Sequence, residues 1–285
     1  GGPTDVVARA FAEHAAQALG QPVVVENKPG ANTILAAEAA AQAPADGHTL
    51  LLGATNHTMI PALYSARVKF DAVRSFAPVC TLASSPTVLV VGPAMAAHKT
   101  LGAFMQAVRA QPGARSYGTP GVGSSGHFAT EEFLHSQKLV MNHIPYKGAA
   151  PVVTDLIGGQ LDSSFATLGS VLTQLQGGKL QALAVAAPKR STLLPQVPTF
   201  AEAGAPGYSA EAWYGLLAPA GTPKPIIQRL YQETVAALKK PDVIEWMKQN
   251  GLEPIGSTPE EYRAYIQSEL TKWAKAVKDA KISAQ

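Results

Sequence analysis

The chain carries a stretch rich in glycine and hydroxyl side chains, Ser116-Tyr117-Gly118-Thr119-Pro120-Gly121-Val122-Gly123-Ser124-Ser125-Gly126-His127. Within it, no acidic or basic side chain precedes the closing His127, and a helical pattern with Phe128 and Phe133 follows at once. A loop of this kind that opens a helix presents backbone N–H groups at the positive end of the helix dipole. The stretch therefore predicts a strand, a loop and a helix in succession, with an anion site at the loop.

A second loop of the same kind opens the chain, because Gly1-Gly2-Pro3-Thr4-Asp5 precedes a helical pattern over residues 6–19. Thr4 and Asp5 are favoured residue types at helix N-termini, so plain capping is one interpretation. As a binding loop, the segment would offer N–H groups and the Thr4 hydroxyl to a carboxylate. Asp5 would then hold the loop, for instance by pairing with Arg9 one turn later. Two such loops suggest binding of an organic anion without lysine or arginine.

Composition excludes several classes of protein. The 285 residues are 46% hydrophobic, which is near the globular average, and 15% charged, which is well below it. With a net charge of +3, this composition is not that of a disordered or nucleic-acid-binding chain. The single cysteine, Cys80, excludes an intrachain disulfide and a thiolate metal site, and we expect it to be a small buried residue. The histidines show no metal-ligand spacing, and the glycines of residues 118–123 do not fit a dinucleotide fingerprint. We therefore expect no metal and no cofactor.

Apolar runs typical of strands alternate with helical patterns along the chain. Strands are predicted at 23–27, 49–53, 88–91, 115–117, 143–146, 163–166 and 183–186. Helices are predicted at 33–43, 101–110, 128–134, 150–157, 225–238, 242–249 and 259–277. The alternation predicts an α/β fold with a mostly parallel sheet. The length favours two domains, with residues 1–93 plus 214–285 as a discontinuous domain 1 and residues 94–213 as domain 2.

Short segments that are similar in sequence to one known protein family occur along nearly the whole chain. They are residues 1–9, 24–32, 45–51, 117–124 with His127, 145–151, 155–162, 194–204 and 218–223. In this order they resemble the Bug family, the extracytoplasmic solute receptors of tripartite tricarboxylate transporters. The resemblance implies a two-domain periplasmic-binding-protein-like (type II) fold that closes around a small carboxylate in the cleft between its domains. It implies a receptor and not an enzyme.

The resemblance also implies a location and partners. We expect a periplasmic monomer that works with membrane permease subunits, or in some cases with a sensor kinase, and that does not bind nucleic acid. Family members begin with a strand and a proline-rich turn ahead of the Gly-Gly pair, whereas this chain starts at Gly1. We therefore expect a strand and a signal peptide to precede Gly1 in the natural protein. The ligand is left open between an aliphatic and an aromatic acid.

Candidate ligand residues lie in loops after predicted strands, where open α/β sheets bind their ligands. They are Thr4, Asp5, Thr55, Asn56, His57, Ser124, Ser125, His127, Tyr146, Ala166 and Thr167. Each has a structural alternative: helix capping for the first loop and for the serines, local turn hydrogen bonds for residues 55–57, and core packing for the last three. Trp213 and Tyr214 are predicted either to stack on a ligand or to be buried.

Two other classes of function remain as alternatives. A hydrolase or another enzyme on the same scaffold is one, although no serine here stands in the middle of a Gly-x-Ser-x-Gly pattern. The effector domain of a transcription regulator is the other, and it would require a DNA-binding module ahead of Gly1. Saturable binding without turnover would distinguish a receptor from an enzyme.

Overall fold

The computed structural model describes residues 3–30, 33–64 and 67–280. The helices are α1 (Pro3–Leu19), α2 (Ile34–Ala41), α3 (Asn56–Leu63), α4 (Leu101–Ala110), α5 (Ser125–Gln137), α6 (Ala149–Ile157), α7 (Leu168–Gln176), α8 (Lys224–Leu238), α9 (Pro241–Gln249) and α10 (Pro259–Ala280). The strands are β1 (Leu51–Ala54), β2 (Phe76–Val91), β3 (Ser116–Thr119), β4 (Asn142–Pro145), β5 (Ser163–Thr167), β6 (Gln181–Val185), β7 (Glu211–Pro219) and β8 (Glu253–Pro254).

The described residues divide into two compact units. Those within 1–84, 213–247 and 253–280 form unit 1, and those within 85–212 and 248–252 form unit 2. The first two divisions fall inside β2 and β7, and the last two fall inside α9 and just before β8. The functional domain bounds of 1–93 plus 214–285 and of 94–213 stay a prediction.

Unit 1 is built on strands in the order β1-β7-β2, and β8 also pairs with β2. Strands β1 and β7 are antiparallel, with Gly53 opposite Gly215. A Cβ atom on Gly215 would lie 2.5 Å from the ring of Tyr262, so the glycine makes room for that fully buried aromatic side chain. Trp213 and Tyr214 are buried in the same unit, which agrees with the packing alternative. Cys80 is buried as expected, and burial raises the pKa of its thiol to about 12.

Unit 2 contains a mixed sheet in the order β2-β5-β3-β4, with β6 on the other side of β2. Strand β3 is parallel to β4 and β5, whereas β2 is antiparallel to β5 and β6. The α/β class is confirmed, but the expectation of a mostly parallel sheet is wrong. The alternation of helical and strand patterns shows only the order of the elements in the sequence. It does not show which strands pair in the sheet or in which direction, and β2 is antiparallel to both β5 and β6.

Residues 23–27 do not form the predicted strand. They are irregular, Val24 is 85% exposed, and no partner strand pairs with them within the described residues. An extended segment is stable as a strand only when a neighbouring strand accepts and donates its backbone hydrogen bonds. Helices α3 and α7 were not predicted, since α3 carries Pro61 and α7 follows Thr167 without any turn residues.

Candidate functional site

The glycine turn (residues 121–123) connects β3 to α5 in unit 2. Gly121 has a φ of 142° and Gly123 a φ of 79°, backbone conformations that favour glycine. Ser124 N–H donates to the Gly121 carbonyl at 3.2 Å, and Ser124 stands immediately before the helix. The helix begins at Ser125, three residues earlier than predicted, because Ser124 is an effective N-cap.

The two serines at the start of α5 have different surroundings. The Ser124 Oγ accepts the His127 N–H at 3.3 Å, and the Ser124 carbonyl accepts the Phe128 N–H at 3.1 Å. The N–H groups of Ser125 and Gly126 have no acceptor within the described ranges. The capping alternative therefore applies to Ser124, while the two N–H groups after it are available to an anion.

The carboxyl ends of three parallel strands meet at this turn. Tyr146 N–H, after β4, donates to the Thr119 carbonyl of β3 at 2.9 Å. A Cβ atom on Gly126 would lie 2.5 Å from the Phe165 carbonyl oxygen, so the start of α5 approaches the end of β5 closely. One edge of unit 2 thus brings together six of the predicted residues: Ser124, Ser125, His127, Tyr146, Ala166 and Thr167.

His127 supports the turn from inside the unit. It is 6% exposed, and its Nδ1 accepts the Gly123 N–H at 3.2 Å. Its ring stacks on that of His143, with centroids 4.2 Å apart. Burial lowers the pKa of His127 to about 4, so the imidazole is neutral at pH 7.

Sequence reasoning missed Tyr117, Thr119 and His143. Nε2 of His143 lies 2.7 Å from Oγ1 of Thr119, and the Tyr117 ring stacks on His143 at 4.9 Å. The parallel register places Tyr117 opposite His143. Both strands were predicted, but a search for ligand spacing along the chain does not show which residues face each other across strands.

Tyr146 and Thr167 already have partners in unit 2. The Tyr146 hydroxyl donates to Asp155 at 2.6 Å, and burial together with this carboxylate raises the pKa of Tyr146 to about 12. Thr167 Oγ1 lies 3.3 Å from Ser170 Oγ. Both side chains can still offer an oxygen to a ligand, and their binding role stays a prediction.

Thr4 and Asp5 lie in the first turn of α1 in unit 1. Arg9 pairs with Asp5 at 3.1 Å, and Asn27 Nδ2 donates to the same carboxylate at 3.0 Å. The hydrogen bond from Arg9, and next that from Asn27, lowers the pKa of Asp5. The expected Asp5–Arg9 pair is thus confirmed. The Gly1-Gly2 part of this predicted loop lies outside the described residues.

Residues 55–57 have structural roles in unit 1. Thr55 is 3% exposed, and its Oγ1 accepts the Trp213 N–H at 3.0 Å. Asn56 donates to Thr33 Oγ1 at 3.0 Å. His57 is a core histidine, since its Nε2 lies 3.0 Å from the Ala72 carbonyl oxygen and burial lowers its pKa to about 4. Burial and these internal hydrogen bonds do not favour contact of Thr55 or His57 with a ligand. A binding role for the two residues stays an untested prediction.

No group of three or more His, Cys, Asp or Glu side chains among the described residues is arranged to hold a metal ion. None of the helices in this part of the chain is both long and apolar enough to cross a bilayer.

Comparison with known proteins places the chain in a family. The model of the tripartite tricarboxylate transporter family receptor matches residues 7–282. BugT of Bordetella pertussis is 35% identical over 280 residues, which are 98% of this chain and 86% of that protein.

Solved structures agree with the family match. R. palustris Rpa4515 with adipate has a TM-score of 0.92 and 31% identity, covering 99% of this chain and 94% of that one. MatC from Rhodopseudomonas palustris with bound malate has a TM-score of 0.87 and 32% identity, covering 97% and 95%. The predicted periplasmic-binding-protein-like fold and the Bug resemblance are confirmed. The chain belongs to the tripartite tricarboxylate transporter receptor family, a family of periplasmic solute-binding proteins.

Proposed function

We propose that this protein is a periplasmic receptor that binds a small carboxylate for a tripartite tricarboxylate transporter. In unit 2 the ligand would bind at the end of β3, where the glycine turn leads into α5. Ser125 would contact it directly, and Tyr146, Ala166 and Thr167 would line the same edge. In unit 1, contacts from Thr4, Asp5, Thr55, Asn56 and His57 stay a prediction, as does closure of two domains on the ligand.

The observation that carries the proposal is a pair of backbone donors at the start of α5. The N–H groups of Ser125 and Gly126 have no acceptor within the described residues, and they stand at the positive end of a 13-residue helix. Donors in this position bind a carboxylate without any charged side chain. The half-buried Ser125 hydroxyl adds a third donor at the same place.

The bound ligands of two relatives support the same class. Rpa4515 was solved with adipate and MatC with malate, and both molecules are aliphatic dicarboxylates. We therefore propose an aliphatic dicarboxylate as the first ligand to test, with tricarboxylates and aromatic acids as the next.

The geometry argues against the hydrolase alternative. A serine hydrolase needs a hydroxyl bonded to a histidine that acts as its base. His127 instead uses its Nδ1 to accept the Gly123 N–H, and Ser124 Oγ accepts a backbone N–H. Thr119 does contact His143, but Thr119 is fully buried, where no substrate can reach its hydroxyl. We propose that the protein has no catalytic activity.

We also propose partners and an assembly state. The membrane permease subunits of the transporter would receive the ligand, and a sensor kinase is the alternative receiver. The receptor itself would be a monomer, which sedimentation or light scattering would test. A stable dimer at micromolar concentration would contradict that part of the proposal.

A thermal-unfolding screen tests the ligand class. Mono-, di- and tricarboxylates and aromatic acids are compared with sugars and cationic amines at equal concentration. A ligand at 100 times its dissociation constant stabilises the folded state by about 2.7 kcal/mol, so a true ligand raises the melting temperature visibly. We expect stabilisation by acids alone. Stabilisation by a sugar or an amine, with none by any acid, would refute the proposed ligand class.

A further inference from the structure

Three aromatic rings stack behind the glycine turn in unit 2. Tyr117 of β3 stacks on His143 of β4, with ring centroids 4.9 Å apart. His143 stacks in turn on His127 of α5 at 4.2 Å, with 14° between the two planes. The proposed carboxylate contacts do not use either imidazole, so the stacked pair requires its own explanation.

Each imidazole is connected to one end of the glycine turn. Nδ1 of His127 accepts the Gly123 N–H at 3.2 Å. Nε2 of His143 lies 2.7 Å from Oγ1 of Thr119, and that hydroxyl oxygen lies 3.2 Å from the Gly121 carbonyl oxygen. Because Gly121 and Gly123 both have positive φ values, the turn has many accessible alternatives, and these contacts select one conformation.

We propose that His127 and His143 are positioning residues that hold the glycine turn in its binding conformation, and that His127 does so only as a neutral imidazole. The inference rests on the proposed carboxylate site, because the turn leads directly into the N–H groups of Ser125 and Gly126. The Gly123 N–H is a donor, so Nδ1 of His127 must offer its lone pair and the ring proton must be on Nε2. A proton on Nδ1 would face the Gly123 N–H, donor against donor.

The surroundings keep the pair neutral. Among the described residues, the titratable groups that act on the two rings include Tyr117 on β3 and Glu131 on α5, and the Tyr117 hydroxyl donates to the Glu131 carboxylate. Burial, and next the neighbouring His127, lowers the pKa of His143 to about 4, although Glu131 acts in the opposite direction. Burial lowers the pKa of His127 to a similar value. The hydrogen bond from the Gly123 N–H to His127 is therefore fully formed at neutral pH, and it is lost as the pH falls toward 4.

The first experiment needs no ligand. His127→Leu removes the acceptor, whereas His127→Asn places an amide oxygen near the position of Nδ1 and does not titrate. The matched controls are His135→Leu and His135→Asn, on the exposed last turn of the same helix. Nitrogen-15 NMR reports the tautomer of His127, and amide hydrogen exchange reports the Gly123 N–H.

We expect the Nε2–H tautomer for His127 in the wild type at pH 7. Gly123 should exchange about three- to tenfold faster in His127→Leu, the range for one lost hydrogen bond, and His127→Asn should recover most of the protection. The His135 variants should behave as the wild type. An Nδ1–H tautomer, or equal Gly123 exchange in His127→Leu and wild type, would overturn the proposal.

The second experiment measures adipate affinity by calorimetry from pH 7.5 to pH 4.5 in the same variants. Affinity should fall about three- to tenfold in His127→Leu at pH 7, recover largely in His127→Asn, and depend less on acid pH in His127→Asn than in the wild type. Faster Gly123 exchange with unchanged affinity would show that the turn is positioned for stability and not for binding. If wild-type protein does not bind adipate, the proposed ligand fails, while the tautomer and exchange data still decide the role of His127.

Discussion

At the scale of single residues, Ser124 and Ser125 are neighbours in the sequence with different roles. Ser124 caps α5 through its side-chain oxygen, whereas the Ser125 hydroxyl is half buried and has no partner within the described residues. Because one hydroxyl serves the fold and the other is free for a ligand, substitution at the two positions should separate stability from affinity.

We expect Ser124→Ala to lower the free energy of unfolding by about 1 kcal/mol, the usual cost of a lost N-cap. Ser125→Ala should leave that free energy unchanged and weaken carboxylate binding by about 1 kcal/mol or more, because a hydrogen bond to a charged group is lost. Urea unfolding and calorimetric titration measure the two quantities. Unchanged affinity in Ser125→Ala would remove that residue from the site.

At the scale of elements, the site depends on how closely the start of α5 approaches the end of β5. Gly126 is the second residue of α5, and a Cβ atom there would lie 2.5 Å from the Phe165 carbonyl oxygen. Gly102 is the second residue of α4, and the nearest atom to a Cβ there is Thr100 Oγ1 at 4.0 Å. The two glycines occupy matched helix positions and differ in the space beside them.

Gly126→Ala should destabilise the protein by roughly 1 to 3 kcal/mol, because backbone atoms must move to admit the methyl group. The control, Gly102→Ala, should be neutral or stabilising by up to about 1 kcal/mol, since alanine has the higher helix propensity. Urea unfolding of both variants provides the comparison. Equal effects at the two positions would mean that α5 does not pack against the β5 terminus as described.

At the scale of the whole molecule, the buried histidines His57 and His127 and the half-buried His143 make stability depend on pH. Burial is the first cause that lowers the pKa values of His57, His127 and His143 to about 4. An unfolded histidine has a pKa near 6.5, so below that pH the unfolded chain binds protons that the folded chain does not. Stability is therefore full above about pH 6.5 and falls as the pH drops toward 4.

We expect the free energy of unfolding at pH 5 to be lower than at pH 7.5 by roughly 1 to 2 kcal/mol for each of His57 and His127, and by less for His143, because solvent screens this half-buried ring. Asp5, Asp71, Glu202 and Glu261 have lowered pKa values, so their contributions are lost at more acid pH, as the pH falls through those values. Urea unfolding across this range measures the dependence. A flat profile between pH 7.5 and pH 5 would show that these histidines are protonated equally in both states.

The sequence by itself determined the class of the fold, most helices and the glycine turn with its helix. Helix α4 begins and ends at the predicted residues, and the Asp5–Arg9 pair is one turn apart as expected. These features follow from local physics, because helix periodicity, capping and an i,i+4 ion pair involve residues within a few positions of one another. The order of the family motifs is likewise a property of the sequence alone.

Only the tertiary structure decided which strands pair and what the buried polar residues do. It placed β2 against β5 and β6, Tyr117 opposite His143, and His127 under the glycine turn. It also buried Thr55 and His57, which the sequence had left open between ligand contact and local hydrogen bonds in a turn. Strand register and ring stacking join residues far apart in the chain. Register and stacking depend on how whole elements pack against one another, and a local sequence pattern does not predict that packing.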